Sequence, residues 1–318
     1  MKISIVTPSF NQGQFLESAI LSVLGQDYPD LEYIVIDGGS TDSSLDVIRK
    51  YADRLSCWAS EPDEGQSHAI NKGWSMATGD IVAWINADDI YCPGAFSRVA
   101  NAFEDNPDAV MVIGSGSSYD ITLSRQLLHK PPELDPRRMI ETCGGGPIQP
   151  AVFLRKKVFE EVGPLRQDLH YILDWEYWIR VGLYYPPDRI AMIDSTLAIN
   201  REWPRTKTNT GAASICREHR QVLDMLFATH RSDAGIQSVK QAAYRSSYRK
   251  EAELARADGE TIQALRHALK ALAIGPFSHN PARELVIILY VILGRNLSGK
   301  IREVLAPVRD KLNRITGY

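Results

Sequence analysis

The chain has 318 residues, of which 44% are hydrophobic and 24% charged, and its formal net charge at pH 7 is −3. These values are typical of a globular protein of one to three domains, and the small negative charge argues against a nucleic-acid-binding protein. The charge is unevenly spread, because the residues from Lys240 onward carry 14 Lys and Arg against 7 Asp and Glu, whereas the rest carry 22 against 32. A basic C-terminal region favours contact with an anionic membrane surface, although a solvated helical face gives the same pattern.

The four cysteines, Cys57, Cys92, Cys143 and Cys216, are widely separated and lack the spacing of a metal site. They indicate free thiols in a reducing compartment. The N-terminal residues have the pattern of a strand rather than a signal peptide, and the longest apolar run, Leu285 to Leu293, is too short to cross a bilayer. We therefore expect a cytoplasmic protein, with peripheral attachment to the inner face of the membrane left open.

Short apolar runs alternate with helical patterns over the first ninety residues or so. This alternation predicts a mainly parallel sheet with helices on both faces, and it places functional residues at the carboxyl ends of the strands. The predicted strands cover 3–8, 31–36, 55–60 and 81–85. The predicted helices are one at 15–26, one capped by Ser40 or Asp42 that runs to about Tyr51, and one that opens at 65–67 and runs through Ala77.

The rest of the chain contains a second set of elements and then a helical region. We place a domain boundary near Arg231, which separates a catalytic domain (1–231) from a helical C-terminal region (232–318). Within the catalytic domain, 1–115 are expected to bind a nucleotide and 116–231 to form the acceptor side. The predicted elements are helices at 93–103, 155–162 and from 173, strands at 110–113, 151–154 and 190–199, an extended or hairpin region at 115–128, and helices from 212 onward.

Polar residues follow each predicted strand of the first half, and Asp88 and Asp89 directly follow the most apolar one. Two adjacent carboxylates repel each other, and a hard divalent cation with oxygen ligands compensates for that repulsion. The alternative is a polar turn in which Asp89 caps the next helix. Thr7, Asp37 and Glu61 fall at the other strand ends, and independent turns would not be expected to align in this way.

Four short motifs in this order resemble glycosyltransferase family 2. They are Thr7-Pro8-Ser9-Phe10-Asn11, Asp37-Gly38-Gly39-Ser40-Thr41-Asp42, Asn71-Lys72-Gly73 and Asn86-Ala87-Asp88-Asp89. The resemblance covers about 1–210 and implies the GT-A fold, a Rossmann-like α/β domain, so the C-terminal helices are an extension outside it. It implies a non-processive enzyme that moves a sugar from a nucleotide diphosphate donor to an acceptor hydroxyl with inversion.

The same resemblance implies a divalent cation, Mg²⁺ or Mn²⁺, that holds the leaving diphosphate. Asp89 matches the metal ligand of the family and Asp88 the supporting residue near the donor. The other positions that the resemblance assigns to the donor are Thr7, Pro8, Asp37, Gly38, Glu61, Gln66, Asn71, Lys72 and Arg201. For each of them a structural role, such as a helix cap or a salt bridge, is the alternative.

The acceptor side resembles the family around Asp174, which matches the general base, although Leu173 stands where the family usually has a first acid. Capping of its own helix is the alternative role for Asp174. Gln149 and Trp175 are candidates for contact with a sugar on this side. Trp203 stands where many relatives have a histidine, which weakens any claim of a further protein ligand to the metal.

The acceptor is expected to be a glycan or a lipid-linked glycan of a bacterial-type cell envelope, by analogy with the family. An apolar segment, Leu285 to Leu293, followed by basic residues favours docking to an anionic membrane, with a dimer interface or packing on the catalytic domain as alternatives. An oligomer is compatible with the sequence. The alternative functions are a catalytically inactive module that binds a sugar nucleotide or glycan, and a nucleotidyltransferase. The second lacks the Gly-rich phosphate loop that it would need after the first strand.

Overall fold

The computed structural model describes residues 1–207, 211–257 and 259–274. The chain divides into two compact units, one formed by Met1–Pro136 and Gly145–Thr210 and the other by Arg137–Gly144 and Gly211–Tyr318. The domain boundary placed near Arg231 stays a prediction. The apolar and basic segment from Leu285 onward, which favoured membrane docking, lies outside the described residues.

The first half of unit one is a parallel sheet, as its alternation of elements predicts. The apolar strands at 3–9, 31–37 and 81–84 are fully or largely buried, as expected for a sheet covered by helices on both faces, whereas the strand at 57–60, on the edge of the sheet, is half-buried. The elements are β1 (Ile3–Ser9), α1 (Gly13–Leu24), β2 (Leu31–Asp37), α2 (Ser44–Tyr51), β3 (Cys57–Ser60), α3 (Gln66–Met76) and β4 (Ile81–Trp84). The spatial order is β3-β2-β1-β4, and all three strand pairs are parallel.

One detail of β1 differs from the sequence expectation, which ended the strand at Pro8. The strand continues through Pro8 to Ser9, and β2 pairs with it over its whole length. On the other side β4 pairs only with residues up to Val6, so the missing N–H of Pro8 falls where that edge is open.

The second half of the sheet is of mixed direction. Its elements are β5 (Ile90–Tyr91), α4 (Ala95–Asp105), β6 (Met111–Asp120), β7 (Arg125–His129), β8 (Val152–Arg155), α6 (Lys156–Val162), α7 (Leu173–Tyr184) and β9 (Ile190–Glu202), with α5 (Pro136–Thr142) before β8. The sheet continues in the order β4-β8-β6-β9-β5, with β7 paired to β6. Of the two alternatives expected for 115–128, an extended region or a hairpin, β6 and β7 form the hairpin, whereas the two-residue β5 was not predicted, because a pair of residues carries no periodic signal.

An aromatic cluster packs α3 and α7 against β4. Trp84, the last residue of β4, stacks on Trp178 of α7 with ring centroids 5.4 Å apart and an interplanar angle of 24°. Trp74 of α3 lies edge-on to Trp84 at 5.3 Å. Offset aromatic pairs add about 0.5–1.5 kcal/mol to the free energy of burial, so this cluster fixes the start of α7 relative to the end of β4.

Unit two is helical in its described part, with α8 (Ala212–Thr229), α9 (Ala234–Ser238), α10 (Lys240–Ala257) and α11 (Thr261–Ala273). Alanines let α10 and α11 approach closely, with Ala252 and Ala264 fully buried between them. The Arg220–Glu251 pair, whose atoms Nη1 and Oε2 lie 2.7 Å apart, joins α8 to α10. Within the described ranges, no helix is both long enough and apolar enough to span a membrane.

The contact of α3 with β1 gives a stability prediction. A Cβ atom on Gly73 would lie 2.5 Å from Cγ1 of the buried Val6, so Gly73→Ala overpacks the contact and should lower the free energy of unfolding by about 1–3 kcal/mol. Chemical denaturation would measure this. Ser75→Ala, at an exposed position of the same helix, is the control and should change stability little. Equal stability of the two variants would contradict the close packing.

Candidate active site

A cleft of about 990 Å³ opens at the carboxyl ends of the parallel strands β1, β2 and β4. Its other walls come from the N-terminal ends of α3 and α7 and from the end of β9 together with the residues that follow it. Open α/β sheets place their ligands at this edge, where the strands stop and their loops diverge. The lining includes Ser9, Phe10, Gly39, Asp63, Asn86, His170, Tyr171, Glu202, Arg205 and Lys207.

The site residues that sequence reasoning named fall into two groups. One group lines the cleft and consists of Pro8, Gly38, Gln66, Asp88, Gln149, Asp174 and Arg201. The other group is not among the lining residues and consists of Thr7, Asp37, Glu61, Asn71, Lys72, Asp89 and Trp175. The roles of both groups stay predictions, but their surroundings differ sharply.

Most of the second group have their polar atoms satisfied within the protein. Thr7 is fully buried, and its Oγ1 lies 2.9 Å from the hydroxyl of Tyr33. Asp37 is also fully buried, and its carboxylate accepts hydrogen bonds from the hydroxyls of Ser40 and Ser60. The hydrogen bonds of Asp37 fix the turn after β2.

The motif within α3 is likewise engaged by other parts of the chain. The amide of Asn71 accepts from the backbone N–H of Leu165 at 2.9 Å and donates to its carbonyl at 2.8 Å. Lys72 forms an ion pair with Glu61. Asn71 therefore holds the segment before α7 against α3, and Lys72 joins α3 to the loop after β3.

Asp89 is fully buried and serves as the acceptor of three hydrogen bonds. Its Oδ2 accepts from the side chain of Asn86 at 3.1 Å, and its Oδ1 accepts from the side chain of Asn200 at 3.1 Å and the backbone N–H of Arg201 at 3.0 Å. The pKa of Asp89 is raised to about 8. Burial is the largest cause and the negative charge of Asp88 the second, while hydrogen bonds from the donors lower the pKa by less. Asp89 therefore ties the turn after β4 to the end of β9.

Asp88, in contrast, faces the cleft. Its Oδ2 accepts from the indole Nε1 of Trp203 at 3.1 Å, and its backbone carbonyl accepts from Nε of Arg201. The guanidinium of Arg201 also donates to the hydroxyl of Ser18 at 2.7 Å and lies 5.1 Å from the ring centre of Phe15. Arg201 thus holds the end of β9 to α1, and the indole of Trp203 holds the carboxylate of Asp88.

Asp174 stands in the first turn of α7 and lines the same cleft. Its Oδ1 accepts from the backbone N–H of Trp175 at 2.8 Å. Burial raises the pKa of Asp174, while hydrogen bonds from the backbone lower it by a smaller amount. A carboxylate with a raised pKa is a stronger base than an exposed one, which suits it to accept a proton. Glu176 points elsewhere, because it is buried and paired with Arg180 at 2.8 Å.

The oxygen ligands that face the cleft fit a divalent cation only in part. Within the described part of the chain, no group of three or more His, Cys, Asp and Glu side chains could hold a metal ion by itself. Mg²⁺ is commonly bound through one or two carboxylates together with substrate phosphates and water, rather than by a complete protein cage. The carboxylate of Asp88 on the cleft wall fits that second arrangement.

Sequence reasoning missed several residues of the cleft. The side chain of Phe10 is 60% exposed there, although an aromatic ring ordinarily avoids water, and its place within the first motif was the available signal. Ser9 was also missed, and its hydroxyl is buried in the lining without a hydrogen-bond partner among the described residues, as is Oε1 of Gln149, a residue that sequence reasoning did name. Arg205 and Lys207 lie beyond the last predicted strand, where no periodic pattern points to them.

The comparisons with known proteins agree with this fold. Among curated sequences, an uncharacterised glycosyltransferase of Nostoc is 36% identical over 107 residues, which are 33% of this chain and 33% of the relative. The chain spans between a third and just over half of the length of the first curated relatives it matches.

Two solved structures share the fold at 16% sequence identity. TarS of S. aureus, in complex with UDP-GlcNAc, has a TM-score of 0.59 and covers 87% of this chain and 82% of its own. The mannosyltransferase PcManGT of Pyrobaculum calidifontis, in complex with GDP-Man and Mn²⁺, has a TM-score of 0.55 and covers 95% and 87%. The model of the family described as glycosyl transferase family 2 matches residues 4–163, half of the sequence, and the chain belongs to this family.

Proposed function

We propose that this protein transfers a sugar from a nucleotide diphosphate donor to a hydroxyl of a glycan or lipid-linked acceptor, with inversion at the anomeric carbon. The observation that carries the proposal is that Asp88 and Asp174 line the same cleft, at the carboxyl edge of a parallel sheet. One carboxylate suits a metal that holds the leaving group, and the other suits the base that activates the nucleophile.

The nucleoside of the donor is assigned to the part of the cleft at the ends of β1 and β2. The exposed ring of Phe10 offers a flat face to a base, and the buried hydroxyl of Ser9 offers a hydrogen bond. Gly38 allows a close approach, since a Cβ there would lie 2.7 Å from Oδ2 of Asp63. The solved structures of TarS with UDP-GlcNAc and PcManGT with GDP-Man, which share this fold, support a nucleotide-sugar donor.

A divalent cation, Mg²⁺ or Mn²⁺, is assigned to the carboxylate of Asp88, with Asp89 as the buried support behind it. This exchanges the two roles expected from the sequence, because Asp88 faces the cleft whereas the carboxylate of Asp89 is enclosed by three donors. When bound, the cation neutralises the charge that develops on the leaving diphosphate. Arg205, which makes no hydrogen bond or ion pair with the described residues, adds a positive charge to the lining of the cleft.

Asp174 acts as the general base. It accepts the proton of the acceptor hydroxyl while that oxygen forms a bond to the anomeric carbon, and the bond from this carbon to the diphosphate oxygen breaks. A single displacement from the face opposite the leaving group inverts the configuration. Burial in the first turn of α7 raises the pKa of Asp174 and so increases its basicity.

The acceptor is assigned to the side of the cleft that holds Gln149, His170 and Tyr171. Oε1 of Gln149 is buried without a partner among the described residues, while its Nε2 donates to the carbonyl of Trp84 at 2.8 Å, so the free oxygen suits a sugar hydroxyl. A glycan of the cell envelope suits such polar lining. Attachment to an anionic membrane through the basic C-terminal region, in the cytoplasm, is part of the proposal and rests on charge alone.

Thermal unfolding with nucleotides tests the donor site. The melting temperature is measured with UDP, dTDP, GDP and CMP, each with and without Mn²⁺. We expect one of these nucleotides to raise the melting temperature, and to raise it more with Mn²⁺ than without, because binding to the folded state stabilises it by mass action. Asp88→Asn should remove the Mn²⁺-dependent part of the shift. If none of the four nucleotides raises the melting temperature, the result would count against a nucleotide-dependent enzyme.

The stability of two alanine variants tests the separate roles of the adjacent acids. Asp89→Ala leaves three partly buried donors without their acceptor and should lower the free energy of unfolding by about 2–4 kcal/mol, whereas Asp88→Ala should lower it by less than about 1 kcal/mol. Denaturant titration measures both. Because the pKa of Asp89 is raised to about 8 in the folded state, its stabilising effect is present at low pH and should decline as the pH rises towards that value. A larger loss in Asp88→Ala would reverse the assignment.

Turnover of Asp174→Asn tests the base. With the donor identified by the thermal assay, kcat should fall by about 10²–10⁴-fold while the nucleotide-induced shift is retained. In the wild type, kcat/KM should rise with pH through a pKa above the ordinary Asp range, since the deprotonated form is active. Glu176→Gln is the comparison within the same helix turn. If neither wild type nor variant turns over any donor while nucleotide still binds, the chain is a binding module.

A further inference from the structure

The end of β9 holds Asp88 at two points. Nε of Arg201 donates to the backbone carbonyl of Asp88, and the indole Nε1 of Trp203 donates to its Oδ2 at 3.1 Å. The backbone N–H of Arg201 also donates to the neighbouring Asp89 at 3.0 Å. The main chain of the acid pair is therefore fixed by Arg201, and what remains to be set is the direction of the Asp88 carboxylate.

The position of the Trp203 ring is itself fixed. The ring lies 5.0 Å from that of Phe15 on α1, at an interplanar angle of 56°, and the guanidinium of Arg201 lies on the same Phe15 ring at 5.1 Å. Such aromatic and cation–π contacts restrain an indole that is only partly buried. The indole N–H of Trp203 is therefore held in a fixed direction, towards Asp88.

The chemistry of an indole limits what Trp203 can do. Its N–H is a donor only, so the side chain neither coordinates a cation nor exchanges a proton. A hydrogen bond to one oxygen of a carboxylate selects its orientation and leaves the other oxygen to be directed into the cleft that Asp88 lines. A carboxylate held in this way offers a single oxygen to a cation, and the remaining ligands must come from the phosphates and water.

We infer that Trp203 is a positioning residue that orients the Asp88 carboxylate for one-oxygen binding of the divalent cation, so that the cation binds tightly only together with the donor diphosphate. The inference rests on the proposed function, because it deepens the metal assignment made there. It also gives Trp203 a role, although the side chain cannot be a metal ligand.

Titration with Mn²⁺, followed by the EPR signal of the free ion, tests the inference. UDP and GDP are used in parallel as the diphosphate, and each titration is repeated without nucleotide. In the wild type, Mn²⁺ should bind at least tenfold more tightly with the accepted nucleotide than without. Trp203→Phe, which keeps an aromatic ring and removes the donor, should weaken this nucleotide-dependent Mn²⁺ binding by about 3- to 10-fold, the loss expected for one hydrogen bond.

Three comparisons separate the outcomes. Metal-free nucleotide affinity should be unchanged in Trp203→Phe, whereas a merely structural role would weaken it along with the melting temperature. Trp203→Gln, which restores an N–H donor without the ring, should regain part of the Mn²⁺ affinity and serves as the second variant if Trp203→Phe fails to fold. Unchanged Mn²⁺ affinity in Trp203→Phe overturns the inference.

Asp88→Asn distinguishes this failure from that of the proposed function. If Asp88→Asn loses the nucleotide-dependent Mn²⁺ binding while Trp203→Phe retains it, the metal assignment stands and only the role of Trp203 is wrong. If Asp88→Asn binds Mn²⁺ and nucleotide as the wild type does, the metal site itself is wrongly assigned, and the inference falls with it.

Discussion

The arrangement of the cleft depends on one buried carboxylate. Asp89 accepts hydrogen bonds from Asn86 in its own turn and from Asn200 and the backbone of Arg201, which are more than a hundred residues further along the chain. A buried carboxylate is costly unless donors surround it, so the end of β9 must lie against the turn after β4 for either segment to be stable. Once the two segments are joined, Asp88 is left facing the cleft and Trp203 lies within reach of its carboxylate.

A second constraint is the aromatic contact between the end of β4 and α7. Trp84 ends β4, stacks on Trp178 one turn beyond Asp174 in α7, and accepts a hydrogen bond from Gln149 at its carbonyl. The acid pair after β4, Asp174 at the start of α7 and the amide of Gln149 are therefore all linked to Trp84. Because the rings are closely packed, the aromatic cluster restrains α7 relative to the end of β4.

The candidate site shows how far motif reasoning reaches. The motifs pointed to the correct edge of the sheet, because polar residues directly after apolar strands must lie where those strands end. They did not distinguish neighbours: Pro8 lines the cleft while Thr7 bonds to Tyr33 in the core, and Asp88 lines it while Asp89 is enclosed. Successive residues of a strand such as β1 point to opposite sides, so a shift of one position exchanges a residue that lines the cleft for one that is buried.

The sequence by itself determined the family, the alternation of strands and helices in the first half, and the positions of the acid pair and of Asp174, because these depend on local periodicity and on short motifs. Only the tertiary structure decided the direction of the strands after β4 and the hydrogen bonds that Arg201 and Trp203 donate to Asp88. It also decided that Phe10, Ser9 and Arg205 line the cleft. These features arise from contacts between residues far apart in the chain. The hydrogen bonds and the burial of these residues form only when the distant parts of the chain pack together, so no local sequence pattern predicts them.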